Sequence, residues 1–245
     1  MTGILKKTGR LLSSLKLTVF ILTALILITI PATLIIQGQP PAFYLSRYPG
    51  TIGRLILALG YDSFYSSNLF ILTVGVFWLN LLSCTVRRFT RQIRKKTNKR
   101  FGPDILHTGL LILIIGGLVT AAGRQEGTVF LREGDSMLLP EGGYLNLIEF
   151  EFNRYPDGRP QSWISEITVS TEPGGEGEYH EIAVNRPLRV EGLVIYQASF
   201  RTGKTVGSYE TGLMVTRDPG KKTVLISFII IGIGLVLTFL QKKRE

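Results

Sequence analysis

Four apolar runs constrain this 245-residue chain more than any other feature. They are Leu15–Ile36, Leu69–Val86, Ile105–Ala122 and Thr223–Leu240. About 20 mainly apolar helical residues cross a bilayer core. Inside it every backbone N–H and C=O must be satisfied within the segment, so each run is expected to be a helix. The first run is too long for the apolar core of a signal peptide and lacks the small-residue cleavage pattern, so it reads as a retained span. The runs divide the chain into three parts. Residues 1–122 form a membrane region with helices at 15–36, 69–86 and 105–122. Residues 123–219 form a soluble domain. Residues 220–245 hold a fourth helix, at 223–240, and a basic tail.

A formal net charge of +10 would suggest nucleic acid in a soluble protein, but its placement excludes that partner. Residues 123–219 carry 9 basic and 15 acidic side chains, and the remainder carries 19 and 3. The cations therefore flank the spans, where they set topology. The N-terminal segment has Lys6, Lys7, Arg10 and Lys16, and the tail has Lys242, Lys243 and Arg244. The Val86–Asp104 connection has Arg87, Arg88, Arg91, Arg94, Lys95, Lys96, Lys99 and Arg100, whereas residues 37–68 have only Arg47 and Arg54. With four spans the three basic segments share one side, and the positive-inside rule makes it cytoplasmic. Both termini are thus expected in the cytoplasm, residues 123–219 outside it, and the lipid bilayer as a partner.

The soluble part reads as β structure. Thr128–Arg132, Tyr144–Phe152, Trp163–Ser170, Glu181–Asn185, Leu193–Phe200 and Thr211–Arg217 are short runs rich in Val, Ile, Phe and Tyr. Trp163, Ile167 and Val169 alternate with Glu166, Thr168 and Ser170, the period of a half-buried strand. Gly134-Asp135, Pro156-Asp157-Gly158 and Gly174-Gly175 supply turns. Pro173–Tyr179 is expected to be a mobile tip, with His180 a solvated histidine beside it. The fold class is therefore a membrane α+β protein, with four transmembrane helices and an extracytoplasmic antiparallel β-sandwich or barrel-like domain between the third and fourth. The domain shows no H-x-x-x-H, no G-x-S-x-G and no cysteine, so no catalytic residue is assigned in the chain.

Pro31, near the outer end of the first span, removes one helical hydrogen bond. In the loop that follows, Ile52, Leu55, Ile56 and Leu59 recur at helical spacing, predicting a short amphipathic helix in the outer interface. Tyr61, Phe64, Tyr65 and Phe70 are expected to form an aromatic belt. The only cysteine, Cys84, excludes thiol–disulfide exchange within this chain and reads as a small buried hydrophobe.

The third run is entered through Asp104-Ile105-Leu106-His107-Thr108-Gly109. A titratable His107 about one turn inside a span is expensive, which makes it a functional-site candidate. Two readings stand at this point. Histidine serves as interhelical glue, here with Ser83 or Asn80 of the second span in reach, and it is also a common ligand of metals and haem iron. Gly109, Gly116 and Gly117 admit another helix close to this span.

Several stretches carry a resemblance to a known family. They are Leu15–Gln37, the exit Asn80-Leu81-Leu82-Ser83-Cys84-Thr85-Val86-Arg87-Arg88, the third span with His107, and Phe150–Pro160 with Ser165–Val169. Val184-Asn185-Arg186-Pro187-Leu188, Gly192, Ile195–Phe200 and Asp218-Pro219-Gly220 complete the series. In this order, around four spans, they resemble the ResB (CcsB-type) family, the smaller membrane component of System II cytochrome c maturation. The chain departs from the commoner pattern in its short outer domain and in Pro31-Ala32-Thr33, where a Gly-Thr pair is expected.

The resemblance implies a bacterial cytoplasmic (inner) membrane protein that works with a CcsA/ResC-type partner to move haem outward and attach it to apocytochrome c. It implies His107 as an axial ligand of haem iron, the haem b-type, transiently bound and shared with that partner. It makes the chain an accessory or shared-site subunit of a cytochrome c haem lyase (synthase), with a thiol-reducing thioredoxin-like protein as a further associate. The alternative is a structural assembly factor, or an apocytochrome chaperone, that stabilises the partner without binding haem.

Overall fold

The computed structural model describes residues 9, 11–96, 99–140, 142–203 and 208–242. Lys6, Lys7, Arg10, Lys243 and Arg244 lie outside them. The chain forms two compact units, Met1–Ala122 with Gly220–Glu245 and Gly123–Pro219.

Among the described residues of the first unit, four helices are long and apolar enough to cross a membrane: α1 (Leu15–Leu34), α4 (Asn68–Arg94), α5 (Gly102–Gly123) and α6 (Lys221–Lys242). Pro31 is tolerated in the last turn of α1, which ends three residues later. Helix α4 runs about two turns beyond the apolar stretch, because Arg, Gln and Thr continue a helix and no Gly or Pro intervenes before Gly102. The basic connection is therefore largely helical, and Arg91 and Arg94 in its last turn oppose the helix dipole. Helix α5 starts earlier than its apolar residues do. Pro103 and Asp104 both suit a first turn, and this brings Asp104 inside the span.

Polar pins join these helices. Asn80, fully buried, donates to Leu12 O at 2.6 Å and accepts from Thr18 Oγ1 at 2.7 Å, tying α4 to the first span. Trp78 Nε1 donates to Leu111 O at 3.1 Å, tying α4 to α5. Helices α5 and α6 meet along a seam of small residues. A Cβ on Gly109 would lie 2.7 Å from Ile231 Cγ1, one on Gly102 2.5 Å from Thr238 N, and one on Gly234 would collide with Leu106. Gly102, Gly109 and Gly116 recur every seven residues, so one face of α5 is shaved flat for close packing.

The loop after α1 folds into a cap of two short helices, α2 (Pro41–Arg47) and α3 (Thr51–Ala58), and a 3-10 turn (Tyr61–Ser66). The expected amphipathic helix is α3. Of the aromatic residues expected to form a belt, Tyr61 and Phe64 instead enter a small core with Tyr44, Ala32 and Ile56, while Tyr65 is exposed. The polar ends of this core are satisfied locally. Tyr44 Oη donates to Ile36 O, Tyr61 Oη donates to Ile28 O, and Gln37 bridges Ala32 O and Phe64 N.

The second unit is a sandwich of two four-stranded antiparallel sheets. Its strands are β1 (Gln125–Leu131), β2 (Ser136–Leu138), β3 (Tyr144–Arg154), β4 (Pro160–Ser170), β5 (Glu178–Ala183), β6 (Leu188–Val190), β7 (Leu193–Thr202) and β8 (Tyr209–Arg217). One sheet has the order β1-β8-β7-β6, the other β2-β3-β4-β5. The six runs read from sequence are all strands. The two missed, β2 and β6, have three residues each, too few for a period to show. Glu191 and Gly192, both at positive φ, form the two-residue turn between β6 and β7. Leu131, Leu145, Leu147, Ile167, Ile182, Leu193, Ile195 and Leu213 from both sheets fill the core. Pro173–Tyr179 is anchored rather than loose, since Gly174 N donates to Asn146 Oδ1 and Gly177 packs directly on Val169 O.

Two polar features stand out in this sandwich, one inside the core and one on the outer face of the sheet that contains β8. Ser165, Gln197 and Thr211 bond one another across the sheets at 2.7–2.8 Å, a closed network that leaves no member of the trio unpaired. Glu210, 3% exposed, receives hydrogen bonds from Arg132 and Arg201. Those bonds, Arg132 first, hold its carboxyl below the ordinary 4.5. A depressed folded-state value stabilises above 4.5, and that contribution disappears as pH falls through the folded value. Acid titration of the full chain, followed by Trp163 fluorescence in a Trp78→Phe background, is expected to show the domain losing stability below that range. Glu210→Gln should flatten this part of the profile.

Candidate functional site

His107 lies one turn into α5, half-buried. Asp104 and Leu111, one turn below and one above it, are the residues that tie α5 to α4, through Arg88 and Trp78. The i±3 and i±4 relation puts His107 on the same side of α5 as these two. Arg88 Nε meets Asp104 Oδ1 at 3.0 Å, and Arg88 Nη2 donates to Arg100 O at 3.2 Å. Asp104 is almost fully buried, while the Arg88 side chain is 38% exposed.

The glue reading of His107 fails on its named partners. Asn80 is committed to Thr18 and Leu12, and the Ser83 hydroxyl donates to Leu79 O at 2.8 Å in its own helix. Of the ring nitrogens, Nδ1 is buried without a hydrogen-bond partner. Among the described residues, the other buried side-chain polar atoms in that position are Asp104 Oδ2 and Trp163 Nε1. Two of the three therefore belong to residues 104 and 107, adjacent on one helix face. Sequence reasoning singled out His107 as an ionisable group within a span, but took Asp104 as a boundary residue outside it. The usable signal was the Gly-Pro-Asp start of a helix.

Among the described residues no three His, Cys, Asp or Glu side chains are grouped to hold a metal ion. Towards the end of α4, Arg87, Arg88, Arg91 and Lys95 line a hollow of about 520 Å³ with Ser13 and Cys84. Arg94, Lys96 and Lys99 are exposed. Cys84 is only half-buried, so it is not the enclosed hydrophobe expected. His180, on β5, faces Glu178 at 3.6 Å.

The model of the ResB-like family matches residues 15–101 and 94–210. The chain belongs to the ResB-like family. The matched stretch holds Asn80, Arg88, Asp104, His107, Ser165 and Gln197. Cytochrome c biogenesis protein CcsB of Synechococcus sp. (strain RCC307) is 27% identical over 267 aligned residues, covering 82% of this chain and 62% of that protein. The CcsB of Synechococcus sp. (strain WH7803) is 28% identical, with 80% and 61% covered, and that of Gloeobacter violaceus 25%, with 78% and 56% covered. This ResB-like chain spans about three fifths of the length of the curated relatives it matches. A solved structure of Cytochrome c Heme Lyase CcmF aligns at a TM-score of 0.45 and 11% identity, covering 83% of this chain and 35% of that one, a likeness too weak to carry an argument.

The ion pair gives a direct test. Arg88→Met leaves a carboxylate buried and unpaired, a loss of about 3 kcal/mol, the lower end for breaking a buried pair because Arg88 is partly solvated. Thermal denaturation of the purified chain in detergent should show that loss, and Arg88→Met combined with Asp104→Leu should recover most of it.

Proposed function

We propose that this ResB-like protein is a haem-handling subunit of a membrane-bound cytochrome c maturation system. In this reading His107 is one axial ligand to haem iron, and a second membrane protein of the CcsA/ResC type supplies the opposing ligand. The observation that carries the reading is His107 itself, the one histidine among the four spans, placed between the two ties from α5 to α4 and bonded to neither named neighbour. The names of the CcsB relatives support cytochrome c biogenesis as the process.

The residues present fit a shared haem. Imidazole binds iron in its neutral form, so it adds no charge to a site inside the membrane. Haem, when bound, supplies the iron and the vinyl groups that become thioether-linked in a c-type cytochrome. The chain's own part is to present His107 from a helix fixed on two sides, by α4 and by the α6 seam. Requiring a ligand from each of two chains makes haem binding conditional on their assembly. The basic ends of the spans face the cytoplasm in this arrangement, and residues 123–219 lie outside as a platform for the partner and apocytochrome c. The hollow beside Arg87, Arg91 and Lys95 suits the paired carboxylates of haem on its way to His107.

The absorption spectrum of the chain co-purified with its partner tests the ligand. His107→Ala should abolish or shift the ligated Soret and α bands, and added imidazole should restore them. An unchanged spectrum from an assembled His107→Ala complex would overturn the ligand role and leave the structural assembly factor. A second measurement addresses the hollow. Arg91→Gln with Lys95→Gln should lower haem content of the complex severalfold while leaving the band positions alone.

A further inference from the structure

The two unmatched polar atoms at the mouth of the third span are complementary. A carboxylate oxygen only accepts, and an imidazole nitrogen donates when it carries the proton. Asp104 Oδ2 and His107 Nδ1 are both buried, both without a partner, and three residues apart on α5. Helical side chains lean towards the N-terminal turn, so the ring of residue 107 reaches back over residue 104. Other donors near Asp104 are directed elsewhere. Arg88 Nε is on Oδ1, Arg88 Nη2 is on Arg100 O, and the Thr108 hydroxyl donates to the Asp104 backbone carbonyl at 2.9 Å.

We infer that Asp104 is the positioning residue for His107: its Oδ2 accepts from Nδ1–H through one bridging water, and so fixes the proton on Nδ1 and the lone pair on Nε2. Histidines that bind metals usually pass their second N–H to a carboxylate or carbonyl in this way, which sets the tautomer and the plane of the ring. Arg88 has a part in the device. By taking Oδ1 it leaves Oδ2 as the oxygen that remains for the ring. The use of Nε2 as an iron ligand rests on the proposed function, whereas the choice of tautomer does not.

The test is therefore made on the full chain in detergent without haem. The protein has two histidines, so nitrogen-15 labelling of histidine gives two ring spectra, and His180→Asn leaves that of His107 alone. Two-bond proton–nitrogen correlation, at a pH where the ring is neutral, shows which nitrogen carries the proton. The Nδ1–H form should predominate in the wild type. Asp104→Leu should lower the Nδ1–H to Nε2–H ratio by roughly tenfold, the scale of one hydrogen bond to a charged group. Arg88→Gln, which removes the ion pair but keeps the carboxylate, should preserve the Nδ1–H form. If Asp104→Leu does not fold, Asp104→Asn with Arg88→Gln retains the shape of the pair without charge and should weaken the preference in the same direction. A wild-type ring protonated on Nε2, or a ratio indifferent to residue 104, would overturn the inference. A wild-type Nδ1–H ring in a chain whose complex holds no haem would overturn the haem reading and leave Asp104 in this role.

Discussion

The contact between Arg88 and Asp104 sets where the rest of the membrane unit can stand. It joins the last turns of one span to the first turn of the next, across a connection that begins and ends in basic residues. Asp104 is nearly enclosed, so the pair is held by burial as well as by charge, unlike an exposed ion pair. It fixes the rotation of α5 about its own axis. Trp78 repeats the constraint two turns further along, on Leu111. With both ties made, the side of α5 that carries His107 is decided, and the glycine seam with α6 fixes another side. A helix held on two sides carries its side chains, His107 among them, in fixed directions.

The sandwich uses a different device for the same purpose. Hydrophobic burial favours two sheets packed together but says little about their exact registration. The Ser165–Gln197–Thr211 network spans both sheets and is complete only in one alignment. It lies where β7 carries a bulge between Gln197 and Ser199, so an irregular strand and a polar core coincide. Nothing in these three side chains supplies a base or a nucleophile, and their chemistry is that of a fastener.

The spans, the strand-rich domain and His107 were legible in the sequence because each leaves a local signal: a long apolar run, a period of two, or a lone ionisable group in an apolar helix. The helix ends were less legible. Arginine and lysine were counted as the end of the second span, yet they are good helix formers and carried α4 on to Arg94. The aromatic residues after α3 fit a belt by composition, and only the fold shows Tyr61 and Phe64 enclosed. Ser165 was passed over on β4 because a small polar residue does not announce an inward face. Its partners, 32 and 46 positions away, are visible only after folding. Asp104 was hidden for a related reason, since its meaning depends on Arg88 in another helix.

The ends of the β domain lie together. Strands β1 and β8, first and last in the domain, are neighbours with Gln125 opposite Arg217, and Pro219 touches the position a side chain on Gly123 would occupy. A fold whose entrance and exit coincide is an insertion in the topological sense. The chain leaves one helix, completes a closed β structure, and returns close to where it left, so the loop-closure entropy is met inside the domain itself. Growth or shrinkage of this domain therefore places no strain on the helices that bracket it. A chain built this way can keep its helical frame while the soluble part changes in size.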